Sequence, residues 1–523
     1  MKVNSMQPIT NNAGRRNAPT DISADHIRHN TLTKQNSYRY ITSYLPEWLT
    51  VVLYAVIISF AIPYHEPWAD EAQAWQLARS LSIHDLFYTY LHYEGTPGLW
   101  HLFLWILIRL HISYTAMHWI CGFIALTAVS LLVFIAPFPR YLKLLFPFTY
   151  FLLFQYAVVA RSYVLVPLML FLIASLWKRN PILIALLLGL LANLALHAAV
   201  ISGGLAMVYV IEQGHNGNLK NGHRRRAFLI AACLLLCFYI FALWTAWPPH
   251  NLGLSGVRGE SRSYIQFGIV SLVSGMCEPW IFSVPFWIAI TLCIYSRKGI
   301  FYLLPVILFA VFSGAVYANF WHVGLLTPLT LCLLWITWPT TYLTSPYEKA
   351  GSIALLFMIG TQLLWSAFAI TYDHYHEYSP DRATAQFLSP LVRNGATIAV
   401  TYLDEPYNHS FDAVGILPYF DHNIYLNQTS AFWWWSDRNP TEELFLGALR
   451  LHPQIILVEI RKAQLNCAIE VNDRKVSSII NSGYTLTHTF CGTKPERLQL
   501  GEMNCHLIFQ RSSYFNVLPN GLD

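Results

Sequence analysis

Charge is the first thing this sequence has little of. Only 12% of its 523 residues are Asp, Glu, Lys or Arg, about half the share of an ordinary soluble domain. So few charges cannot cover a water-facing surface, which excludes a purely soluble fold. A cleavable signal peptide is also missing from the reading. The first forty or so residues are polar and carry Lys2, Arg15, Arg16, Arg28, Lys34 and Arg39; they read as a basic, disordered cytoplasmic tail. No CxxC or Cys/His spacing suits zinc. Walker, Rossmann and kinase patterns are absent, which argues against a nucleotide-sugar donor on the cytoplasmic side. Internal repeats and low-complexity tracts are absent too. The net charge of +5 is small, and no basic stripe points to nucleic acid.

What the chain does have is apolar length. It is 55% hydrophobic, with 18 Trp, and the aromatics suit wide belts at a membrane surface. Runs long enough to span, or nearly so, are Trp48 to Pro63, Thr115 to Ala136, Leu142 to Val159, Tyr163 to Trp177, Pro181 to Leu196, Ala198 to Ile211, Ala227 to Trp247, Trp280 to Tyr295, Ile300 to Ala318, Val323 to Trp338 and Ser352 to Tyr372. About eleven spanning helices follow.

One further apolar stretch, Pro97 to Leu110, decides the sidedness. If it spans, loop after loop puts its Lys and Arg outside. If it lies along the outer interface as an amphipathic helix, PFPRYLK, WKRN, HNGNLKNGHRRR, YSRKG and TSPYEK all fall inside. The second arrangement satisfies the positive-inside rule throughout. The expected division is then a basic tail (1–45), a helical membrane domain (46–372) with a first outer loop (64–114), and an extracytoplasmic α/β domain (373–523). In that last part, Ala383 to Val392 and Glu442 to Leu451 read as helices. Thr397 to Leu403, Asn423 to Leu426, Gln454 to Ile460, Tyr484 to Cys491 and Cys505 to Arg511 read as strands. Cys467, Cys491 and Cys505 lie there, and Cys491 with Cys505 are placed to bridge in an oxidising compartment.

The first outer loop holds the densest chemistry. Glu66, Asp70, Glu71, Glu94, His65, His92 and His101 are interleaved with Trp68, Trp75 and Trp100. Asp70 and Glu71 open a helical pattern over Ala72 to Leu81. Acids there are favoured by the helix N-terminus, so capping is one role for them. Ionisable groups clustered at a membrane surface are also a functional signal.

WADEAQAW (Trp68 to Trp75) and YEGTPGLWH (Tyr93 to His101), in this order after one spanning helix, resemble the GT-C superfamily of membrane glycosyltransferases. The nearest likeness is its bacterial branch of aminoarabinose transferases and protein O-mannosyltransferases. The resemblance implies a polyprenyl-phosphate sugar donor, an envelope acceptor (lipid, glycan or protein), and inverting transfer on the outer face of a bacterial inner membrane. Asp70 matches the first-loop acid that serves as base, with Glu71 beside it as the second catalytic candidate. The chain departs from the pattern twice. Gly95-Thr96-Pro97 lacks the Lys that relatives often place before the proline, and the second outer turn carries Arg161 where many relatives carry an acid. Arg161 can supply the missing cation, because guanidinium grips phosphate bidentately; an anchor at the headgroups is its other role.

Glu94, Arg161, His197, Arg258, Arg262 and His322 form the expected substrate and phosphate set. The candidate cofactor is a divalent metal on Asp70, Glu94 and His322. Gly253, Gly256 and Gly259 make the second outer loop a mobile lid or a headgroup contact, followed by a second interfacial helix. The run Phe432-Trp433-Trp434-Trp435 suits either sugar stacking or the interface. Two other functions fit the same composition: a transporter or flippase of lipid-linked sugars, and a glycosyltransferase-like scaffold without catalysis. A transporter would carry ionisable residues at mid-span. Here Gln155 and Asn193 are the main polar residues near the spans.

Overall fold

The computed structural model describes residues 44–217, 222–249, 264–339, 345–403, 412–428, 430–432, 441–462 and 474–512. The basic tail, Arg258, Arg262, His250, Cys467 and Trp433 to Trp435 lie outside the described residues. The described chain is mostly helical, with one small sheet near its C-terminus. By contacts it forms one compact unit from Thr50 onward, apart from a short unit that ends at Leu49.

Among the described residues, six helices are long and apolar enough to cross a membrane: Tyr114–Ile135, Leu196–His215, Arg224–Ala246, Trp280–Arg297, Phe320–Thr337 and Pro346–Tyr375. Shorter apolar helices include Leu45–Ala61, Ser162–Leu176, Pro181–Ala192 and Ile300–Ala315. Only 11% of the apolar window of Arg224–Ala246 is buried against the protein. Leu229, Ile230, Leu236, Ile240 and Leu243 stand exposed along that helix. Water would not tolerate such a surface, so this face belongs to lipid. The apolar stretch from Pro97 forms the helix Leu99–Arg109, and Tyr264–Ser274 is also a helix.

Four helices define two ends of the helical layer. His118 lies in the first turns of Tyr114–Ile135, Tyr163 just before Leu165–Leu176, His322 just before Leu326–Thr337, and Asp373 at the close of Pro346–Tyr375. His118 and Asp373 are joined through Glu71 and His65, and Tyr163 packs on His322. At the far ends of the same helices, Pro137, Trp177, Trp338 and Glu348 line one cavity. A 22-residue helix such as Tyr114–Ile135 is about 33 Å long, close to the thickness of a bilayer core.

Two expectations are corrected. Leu142 to Val159 is not one helix but a helical turn (Arg140–Leu145), a 3-10 turn (Phe146–Phe148) and a π-helix (Phe151–Gln155). Pro147 has no N–H to continue a helix, and the Thr149 hydroxyl donates to the Phe146 carbonyl at 2.8 Å instead. The broken segment is held from the side: the Tyr54 hydroxyl donates to the Leu152 carbonyl at 2.7 Å. Asn423 to Leu426 contributes a single bridge, Ile398 to Tyr425, rather than a strand. The Asn423 side chain accepts from Tyr425 N–H and donates to the Gln428 carbonyl, closing a local turn that competes with a ladder.

The sheet has the order β1-β2-β4-β3, with β1 Ile398–Tyr402, β2 Ile455–Lys462, β3 Tyr484–Glu496 and β4 Gln499–Arg511. β1 and β2 are parallel; the other pairs are antiparallel. Side chains alternate along β2 as the pleat requires. Ile455 and Leu457 join the core that runs through the helices, while Ile456, Val458 and Ile460 pack with Phe445, Val476 and Ile479 on the other face. Cys491 and Cys505 are opposite one another in the β3–β4 register and are disulfide-bonded.

Candidate functional site

The loop over residues 64–114 folds around Glu71. The helix Ala69–Ser80 begins after Trp68, and Glu71 sits at its third position with no exposed side-chain surface. Its carboxylate accepts from Trp68 N–H at 3.2 Å, Ala160 N–H at 2.6 Å and His118 Nε2 at 3.0 Å, with His65 Nε2 at 3.4 Å. A carboxylate only accepts, so both imidazole nitrogens facing it carry hydrogen. His65 is bracketed, because its Nδ1 faces Asp373 Oδ2 at 3.1 Å. Burial alone would discharge His65, but Asp373 and Glu71 outweigh it and raise its pKa to about 10. Burial would likewise raise Glu71, yet hydrogen bonds from His118 and His65 and their charge hold it well below the usual carboxylate range. Glu71 therefore ties three separate chain segments together. The loop is also clamped from the C-terminal region: Glu66 pairs with Arg382 and accepts from Tyr378 N–H, and Arg79 donates to the Leu417 and Phe420 carbonyls.

Asp70, its neighbour in sequence, faces the other way. Its side chain is 38% exposed, and its Oδ2 lies 2.9 Å from Arg161 Nη1. Arg161 stands over the rings of Trp68, Tyr163 and Trp321 at 5.2 to 5.5 Å. Burial disfavours its charge, but Asp70 and the neighbouring phenols and carboxylate prevail and strengthen it. The π-helix Phe151–Gln155 and the turn after it deliver Arg161 here, with Ala160 pinned by Glu71.

His197 and His322 are both buried and stack at 4.2 Å between centroids. His197 Nε2 donates to the Tyr317 carbonyl at 2.9 Å, so the proton is on that nitrogen. His322 Nδ1 accepts from Asn319 N–H at 2.9 Å, which leaves its proton on Nε2. His322 packs edge-on to Tyr163, under the Arg161 cage. Asp70, Arg161, His197 and His322 are thus gathered in one place. Glu94 is held to the adjoining helix face, where its Oε1 accepts from Gln73 Nε2 at 2.9 Å; Gln73 is one turn along from Asp70. Asp70, Glu94 and His322 do not form a metal set, and no group of three His, Cys, Asp or Glu among the described residues could hold one.

Two cations near this site come from the tail and were not among the expected residues. The β3–β4 hairpin turns at Arg497, which is in the left-handed region with φ 60°, and its tip reaches the helices. Lys494 Nζ lies 3.1 Å from the Trp68 ring centre, and Arg497 stands 4.9 Å over Phe320. The Tyr150 hydroxyl approaches the Pro495 carbonyl at 3.5 Å. Trp68 thereby has Arg161 and Lys494 both against its ring. Such pairing across more than 400 residues has no local trace; only the charged turn Lys494-Pro495-Glu496-Arg497 between two strand patterns hints at it.

The chain fits no family model, and no curated protein is similar to it. The reading of function therefore rests on the geometry and on the resemblance of its two short motifs.

Proposed function

We propose that this protein is a membrane glycosyltransferase of the GT-C type, which moves a sugar from a polyprenyl-phosphate donor to an envelope acceptor on the outer face of a bacterial inner membrane. The observation that carries the reading is the Asp70–Arg161 pair at 2.9 Å, part-exposed inside an aromatic cage with Lys494 beside it. A phosphate leaving group needs fixed cations; Arg161 and Lys494 supply them. An acceptor hydroxyl or amine needs a carboxylate within reach; Asp70 supplies it. In the transfer, the acceptor oxygen or nitrogen attacks the anomeric carbon, Asp70 takes its proton, and the bond to the phosphate oxygen breaks with its electron pair. The polyprenyl phosphate departs as the anion, and the displacement inverts the anomeric centre. Glu71 acts behind Asp70 as a positioning residue.

We place eleven traverses in the membrane. The broken segment counts as one of them, since Arg140 lines the basic cavity while Ala160 binds Glu71 at the other end. The clustering of PFPRYLK, WKRN, YSRKG and TSPYEK residues at that cavity supports a cytoplasmic assignment for it. The Cys491–Cys505 bond supports an oxidising, periplasmic side for the sheet.

The test is transfer by the purified protein from radiolabelled polyprenyl-phosphate sugars to a membrane extract. Asp70→Asn should lower the rate about 100-fold or more while donor binding persists. Full activity in that variant, or donor binding without transfer by the native protein, overturns the assignment.

A further inference from the structure

The far end of the helical layer holds a second site that the transfer reaction does not use. A cavity of about 1090 Å³ opens there between the ends of four helices. Five cationic residues line it, Arg140, Lys178, Arg179, Arg297 and Lys349, against one carboxylate, Glu348. They come from four different loops or helix ends, so no single local sequence accounts for their meeting.

Arg297 is the centre of the arrangement. Its side chain is only 3% exposed. Its guanidinium stacks 4.3 Å over Trp338, and its Nε donates to Glu348 Oε1 at 3.2 Å. Its buried Nη1 has no hydrogen-bond partner among the described residues. A buried guanidinium N–H left without an acceptor is costly, and four further cations nearby raise that cost. An anion in the cavity removes both penalties. The shape of the wall narrows the choice. Ile353 and Leu356 line the same cavity and are 67% and 40% exposed, on a helix apolar enough to face lipid. The site is therefore cationic at its centre and apolar at an open rim.

We propose that this cavity binds the phosphate headgroup of an anionic phospholipid, with Arg297, Arg179 and Lys178 on the phosphate and the acyl chains leaving past Ile353 and Leu356. Free phosphate shares the headgroup chemistry but makes no use of the apolar rim.

The test uses the full-length protein in mild detergent, titrated with phosphatidylglycerol, phosphatidylcholine or inorganic phosphate and read by native mass spectrometry. Phosphatidylglycerol should bind at least about tenfold tighter than phosphatidylcholine, and Lys178→Gln with Arg179→Gln should remove about tenfold of that preference. Arg297→Gln should abolish it; if that variant fails to fold, the Lys178 and Arg179 pair still decides. Equal binding of the two lipids, or no change in the double variant, overturns the proposal. Inorganic phosphate that binds by itself and displaces phosphatidylglycerol assigns the cavity to a soluble phosphate instead and overturns the lipid.

Discussion

Adjacent acids with opposite surroundings show what a single residue can reveal. The sequence places Asp70 and Glu71 together at a helix start, where two roles, capping and chemistry, are open to them. Glu71 takes the supporting one, accepting from Trp68 N–H and three other donors, while Asp70 points to a part-exposed pocket. Which acid does which was not legible, because it depends on His118 and Ala160, contacts that lie 47 and 89 residues away. The difference is measurable. Glu71→Gln should cost about 3 kcal/mol or more, since it removes the buried carboxylate that His65, His118 and Ala160 share; Asp70→Asn should cost about 1 kcal/mol or less. Thermal melts of the two variants in one detergent check this, and equal losses would mean that Glu71 is not the tie. The signs of the shifts also set a pH window. The stability due to Glu71, whose folded pKa is depressed, is present above its unfolded value near 4.5 and is lost as the pH falls. The stability due to His65, whose folded pKa is raised, is complete below 6.5 and is lost as the pH rises through about 10. The melting temperature should therefore be highest between about pH 5 and 6.5 and decline on both sides; a flat profile from pH 4 to 10 would contradict the buried ion chain.

At the scale of elements, hydropathy located most helices to within a few residues, because lipid-facing surface must be apolar whatever packs behind it. It could not see where a helix breaks inside an apolar run. Leu142 to Val159 looks continuous by composition, yet the fold needs it interrupted so that Ala160 and Arg161 arrive at Glu71 and Asp70. The hairpin is the converse case. Its strands were expected, but β3 and β4 run further than the pattern indicated, to Glu496 and from Gln499, and that extra length carries Lys494 to Trp68. The Cys491–Cys505 bond closes a loop with a separation of 14 residues around this tip. Replacing both cysteines by serine should lower stability by about 3 kcal/mol and weaken donor binding along with it. Unchanged donor affinity in a destabilised variant would detach the hairpin from the site.

For the whole molecule, the residues at one end are acids, imidazoles and a caged arginine, and at the other end cations around a cavity. The loops were assigned to sides from charge alone, and their convergence in space is independent of that rule. A direct check is labelling of single cysteines in intact cells with a membrane-impermeant maleimide. Ser482→Cys, exposed beside the sheet, should react from outside; Lys178→Cys should react only after the inner membrane is opened. The reverse pattern would invert the protein in its membrane. One apolar core runs from Tyr54 through Phe154 and Trp365 to Ile398, Leu457 and Ile508, so the sheet packs on the helices. Composition registers the change from lipid-facing to polar surface after Asp373, but it says nothing about what the new surface packs against.

That continuity bears on how the protein is made. Trp68 and Asp70 leave the ribosome early, and the helices from Tyr114 onward follow them. The hairpin that brings Lys494 to Trp68 is among the last segments translated. A chain cut short before the hairpin would carry Asp70 and Arg161 but not Lys494. Completion of synthesis is thus the event that sets Lys494 against Trp68, and a chain terminated before the hairpin lacks that contact.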